Sequence, residues 1–110
     1  MFMVLRGLFA LLVLIHGLIH IMGFVKSVKP AAIPDLEMPV SRPAGVLWLL
    51  DALLFVAAAA LFLWWPSHWW VLGLSALVLS QGLIIAQWKD AKAGTWPNLV
   101  VLAVMLWGVV

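Results

Sequence analysis

The chain has no cysteine and very little charge. Of its 110 residues only 9% are charged, and just four are acidic. Without cysteine there are no disulfides, no thiolate metal sites and no thiol nucleophiles. An ordinary soluble domain carries about 25% charged residues, and one of this size needs a polar surface that this sequence cannot supply. A formal net charge of +2 is too small to point to a nucleic-acid partner. Also missing are a nucleophile–base–acid set, a glycine-rich phosphate loop and a pair of intramembrane carboxylates. The sequence therefore points away from a hydrolase or a nucleotide-using enzyme.

What it has instead is long apolar runs. Hydrophobic residues make up 67% of the chain, with a mean hydropathy of +1.22. Residues 7–25 are apolar apart from His16 and His20, and residues 44–65 apart from Asp51. In residues 69–88 the polar interruptions are Ser75, Ser80, Gln81 and Gln87. Each run is long enough for a hydrocarbon core of about 30 Å, which takes roughly 20 helical residues. Backbone groups in lipid must bond within their own segment, so the runs are expected to be helices.

A fourth run starts at Thr95 and is shorter. At about 1.5 Å per residue it reaches roughly 24 Å by Val110. It stops inside apolar sequence, where a free carboxylate is costly. The expectation is that the chain continues past Val110 or that this end meets a protein contact. Arg6 ahead of the first run invites a signal-peptide reading, but that run is long, contains two histidines and shows no small-residue cleavage site. The predicted fold is one all-α membrane domain over residues 1–110. It is an antiparallel bundle of four transmembrane helices at about 3–25, 44–65, 68–88 and 95–110, with a proline-rich loop over 26–43.

Charge sets the predicted topology. Lys26, Lys29, Arg42, Lys89 and Lys92 fall on one side, here side B, and only Arg6 on the other, side A. Cations in short loops face the cytoplasm, so loops 26–43 and 89–95 are predicted inside and both termini outside. Asp90 shares the cytoplasmic loop of Lys89 and Lys92. Trp64, Trp65, Trp69, Trp70 and Trp107 gather toward side A, and Trp48, Trp88 and Trp96 toward side B, where they read as interfacial belts. The long loop carries Ala31, Ala32, Ile33, Leu36, Met38 and Val40. It is too apolar to float freely and is expected to fold over the cytoplasmic mouth.

Four intramembrane polar residues agree in depth. By helical rise, His16 lies about 12 Å from side B, His20 about 6 Å, and Asp51 and Gln81 about 10 Å each. His16 and His20, spaced i and i+4, share one helix face, which should point inward because a bare His or Asp in lipid is costly. Asp51 should therefore face His16, or else His20, with Gln81 adding a hydrogen bond. Several readings of this cluster stay open. It could be structural glue between helices. It could carry protons or hold a polar, quinone-like head group. His16, His20 and Asp51 could ligate a metal, the two histidines having good ligand spacing. One histidine could be the axial ligand of a haem or chlorin.

Two segments carry a resemblance: His16-Gly-Leu-Ile-His-Ile-Met-Gly-Phe24, and Pro39-Val-Ser-Arg-Pro43 with Gly45-Val-Leu-Trp48. So do Ser80-Gln81 and Trp88-Lys-Asp-Ala-Lys-Ala-Gly-Thr-Trp-Pro-Asn98. Together these resemble an uncharacterised family of small bacterial four-helix membrane proteins with no established activity. The resemblance implies that His16, His20, Arg42, Gln81, Asp90 and Asn98 belong to a recurring pattern, and that the membrane is the bacterial inner membrane. The first functional expectation is an accessory or anchoring subunit, or the membrane part of a longer chain. The second is a ligand- or redox-associated protein, and the third a small proton-coupled transporter. The partners expected are the lipid bilayer and proteins, or further copies of the chain, within the membrane, and no nucleic acid.

Overall fold

The computed structural model describes the backbone of residues 2–109 and the side chains of residues 2–107. Among these residues every regular element is helical. The α-helices are α1 (Phe2–Ile19), α2 (Ile21–Val28), α3 (Arg42–Trp64), α4 (Trp69–Ala86), α5 (Trp88–Ala91) and α6 (Thr95–Val109). Short 3₁₀ turns at Pro30–Ala32 and Lys92–Gly94 lead out of α2 and into α6. Among the described residues, three spans are long and apolar enough to cross a membrane: Phe2–Val28, Arg42–Trp64 and Trp69–Ala86. Val110, where the sequence raised the cost of a buried carboxylate, lies outside the described residues.

Local chemistry explains where the elements differ from the sequence reading. The first span is broken at His20, whose N–H bonds back to Gly17 O (3.0 Å), while Gly23 N bonds to His20 O (3.1 Å). These i−3 bonds tighten the backbone for one turn. The helix then resumes and runs to Val28, so Lys26 is helical rather than in the loop. Helix α3 starts at Arg42. Ser41 Oγ accepts from Ala44 N (3.3 Å), and Pro43 sits in the first turn, where its missing N–H costs nothing. It ends at Trp64, close before Pro66.

Helix α1 packs on α3, α3 on α4 and α4 on α6, and α6 touches α1. Arg6, near the start of α1, donates from Nη2 to Phe62 O near the end of α3 (2.7 Å) and lies over the Phe62 ring. The guanidinium thus meets a carbonyl at the negative end of a helix. On this side Phe9, Phe62 and Trp69 pack edge to face. The buried core here also holds Val13, Phe55, Ala59, Ala76 and Val101. A smaller apolar cluster, Trp48, Leu83 and Ile84, lies toward the loops. Trp48 and Trp69 are buried, not interfacial, whereas Trp64, Trp96 and Trp107 are exposed.

Helices α1 and α3 meet closely at Gly17. A Cβ there would fall 2.6 Å from Phe55 Cβ and 3.3 Å from Ala52 O. Neither atom is the far end of a flexible side chain, so the two backbones would have to part. Gly17→Ala is therefore expected to destabilise the fold by roughly 1–3 kcal/mol, the usual cost of overpacking. Unfolding in detergent, followed by circular dichroism, checks this, and an unchanged midpoint would refute the close approach.

Candidate functional site

Between the two apolar clusters lies a layer of polar side chains. His16, His20, Asp51, Ser80 and Asn98 are all buried, and Asp51 and Ser80 show no exposure. They come from α1, the turn after it, α3, α4 and α6, so every long helix contributes.

The hydrogen bonds fix one another's direction. His20 Nδ1 lies 2.7 Å from His16 O, and a carbonyl only accepts, so Nδ1 carries a proton. The tightened turn makes this bond available, because His20 N has gone to Gly17 O instead. His20 Nε2 then accepts from Ser80 Oγ at 2.7 Å. Asn98 Nδ2 donates to Ser80 Oγ (3.0 Å) and to Gln81 Oε1 (3.1 Å). Asn98 Oδ1, on the same amide, accepts from His16 Nε2 (2.7 Å). Gln81 Nε2 donates onward to Thr95 Oγ1 (3.2 Å). This leaves His16 Nδ1 as an acceptor with no partner among the described residues.

Asp51 is paired with His20, not His16: its Oδ2 lies 3.2 Å from His20 Nε2. No hydrogen-bond donor reaches either carboxylate oxygen. With its one lone pair given to Ser80, Nε2 makes no hydrogen bond to Oδ2, and the two atoms stand in close contact only. Gln81 does not reach this pair; it bonds Asn98 and Thr95. The metal reading also changes. His16 turns its Nε2 to Asn98, so His16, His20 and Asp51 do not converge on one point. Among the described residues no group of three His, Cys, Asp or Glu is placed to hold a metal ion. Both histidine Nε2 atoms, which an axial haem or chlorin bond would use, are engaged by Asn98 and Ser80.

Beside the histidines is a cavity of about 310 Å³. His16, His20, Trp48 and Ile84 form part of its wall, and Leu36, Met38 and Val40 of the proline-rich loop close over it. The Trp48 ring lies 5.2 Å from the His20 ring, and its Nε1 is buried with no hydrogen-bond partner. Gly23 makes room for that indole, since a Cβ at Gly23 would run into the Trp48 ring.

The loop is tied down at three points. Asp90 accepts from Met38 N (2.7 Å) and Glu37 N (3.1 Å). Lys26 Nζ donates to Ile33 O (3.2 Å) and Pro30 O (3.4 Å), and Gln87 Nε2 to Pro39 O (3.2 Å). The Met38 and Glu37 amides, in that order, hold the Asp90 carboxyl below its usual range. The folded form gains from this above the ordinary Asp range and loses it only as pH falls through the lowered value, so the tether persists in mild acid. Lys89 pairs with Glu37 on the surface, while Arg42 and Lys92 are exposed.

Sequence reasoning placed His16, His20, Asp51 and Gln81 at one depth but missed the part Ser80 and Asn98 play. Asn98 follows Pro97 at a helix start, where an amide reads as punctuation. Its signal was an uncharged polar residue entering an apolar run. Trp48 was read as a membrane-surface anchor because its position near a helix end fits both roles.

Asn98→Leu removes three interhelical bonds at once. At about 0.6 kcal/mol each within a membrane, the expected loss is about 2 kcal/mol. Asp51→Asn breaks none of these bonds and should cost less. Steric trapping or reversible unfolding in mixed micelles measures both, and equal losses would contradict the central place of Asn98.

Comparison with known proteins supplies no further constraint on this site: no protein-family model, no curated protein and no solved structure matches the chain.

Proposed function

We propose that the chain is an integral membrane protein that binds a small lipophilic molecule at its buried histidine layer. The observation that carries this reading is the cavity against His16 and His20. At about 310 Å³ it lies at the small end of ligand pockets, which run to about 1,000 Å³, and like them it is mostly apolar with few polar groups. Those groups have defined roles. His16 Nδ1 needs a donor, while His20 is already satisfied by His16 O and Ser80. A hydroxyl on a compact ring, as in a phenol or hydroquinone, suits His16. This is the head-group reading of the sequence, narrowed from His16, His20 and Asp51 together to His16.

The membrane setting rests on the surface of the helices. Leu53, Val78 and Ile85 are exposed on helices apolar on every side, which suits lipid and not water. In this reading the bundle is antiparallel in the inner membrane of a bacterium. The loop over the cavity is cytoplasmic, as the cation count implies. Single-cysteine labelling checks the topology: Asp35→Cys, exposed in that loop, should be protected in intact cells, and Ser67→Cys should react. The reverse pattern would overturn it.

Binding is tested with 4-methylphenol added to the purified protein in lipid nanodiscs. The readout is the Trp48 indole N–H resonance, assigned with Trp48→Phe. A saturable shift is expected, weakened about tenfold in His16→Leu, as loss of one hydrogen bond implies. Absence of any saturable shift in the unaltered protein would leave the polar layer with a purely structural role, as in an accessory or anchoring subunit.

A further inference from the structure

A second concavity opens along the outer face of α1 and reaches α6 at Pro97. Its outer part is formed by Leu8, Leu11, Leu12 and Ile15. These recur at the i, i+3, i+4, i+7 spacing of one helix face. Its inner end is formed by His16, Ile19 and Pro97, and the same three residues line the cavity at the histidine layer. Groove and cavity therefore share a wall, and the His16 imidazole belongs to both. From Leu8 to Ile19 the helical rise gives a groove about 16 Å long.

The two concavities differ in chemistry and in access. The cavity is lined by the Trp48 side chain and the two histidines, whereas the groove beyond His16 offers only aliphatic side chains. On the loop side the cavity is covered by Leu36, Met38 and Val40, held there by Asp90 and Gln87. On the groove side, among the described residues, no hydrogen bond joins α1 to α6 beyond His16–Asn98, and Leu8, Leu11 and Ile15 stand exposed.

We propose that the α1–α6 groove receives the hydrocarbon tail of the molecule whose head sits at His16, so that the ligand is a single-tailed hydroxyl amphiphile admitted sideways from the bilayer. This inference rests on the cavity being a binding site and goes further in naming the class of ligand and its route. A ring with a hydroxyl would occupy the cavity, its hydroxyl donating to His16 Nδ1. The chain attached to that ring would pass Ile19 and Pro97 and lie along Ile15, Leu12, Leu11 and Leu8. A bulky addition on the groove face of α1 should then affect the tail and leave the head alone.

The test compares 4-methylphenol with 4-dodecylphenol at equal mole fraction of lipid in nanodiscs, read by the Trp48 indole N–H resonance. In the unaltered protein the dodecyl compound is expected to bind about fivefold tighter or more. Ile15→Trp should abolish that preference and leave 4-methylphenol binding unchanged, and Leu8→Trp, one groove position further out, should reduce it. Equal binding of the two phenols to the unaltered protein overturns the tail assignment while the cavity reading stands. Retention of the full preference in both folded variants does the same. Failure of both phenols to bind overturns the cavity reading and this inference with it. The phenol comparison needs no variant, so a misfolded substitution does not remove the test.

Discussion

Three helices meet at one amide. The Oδ1 of Asn98 accepts a hydrogen bond from His16 Nε2, and its Nδ2 donates one to Ser80 and one to Gln81. An amide has one acceptor end and two donor hydrogens, so its placement sets the polarity of every bond around it. Ser80 must then turn its hydroxyl to His20 Nε2, and His16 must leave Nδ1 open. Because a buried polar group is costly to leave unpaired, that order decides how α1, α4 and α6 sit together.

Close backbone approach is the second requirement. The helices carry large apolar side chains on their outer faces, and between them the contacts are small. Gly17 lies against Ala52 and Phe55, Gly23 under the Trp48 ring, and Gly45 against Ser27. At these points the helices come together through tight contacts and the polar bonds they permit. Bringing α1 up to α3 at Gly17 is what lets His20 reach Asp51 one turn further on.

The tightened turn at His20 joins these two features. It redirects one backbone N–H, and the freed His16 carbonyl is taken by the His20 ring itself. The imidazole is thereby locked in one tautomer before any other helix touches it. Phe55 and Trp48 flank the ring. The loop tethered by Asp90, Lys26 and Gln87 closes the space beyond, which makes a cavity out of what would otherwise be the open end of a helix bundle.

The four apolar runs and the depth of the polar residues were legible in the sequence, because hydrophobic run length and helical rise are properties of the chain alone. His16, His20, Asp51 and Gln81 could be placed in one layer on that basis. Which of them touch could not, because partner choice depends on how neighbouring helices rotate about their axes. A small rotation separates the expected His16–Asp51 contact from the His20–Asp51 contact found. The sequence set Asn98 and Ser80 only within a resembling pattern and gave neither a partner, since their weight comes from three helices converging. The break at His20 was hidden for a related reason. Neither proline nor glycine stands there, and the turn is tightened by a side chain bonding its own helix. Tertiary structure alone decided the cavity and the groove, because both are spaces between elements, and a sequence specifies a space only through the packing of everything around it.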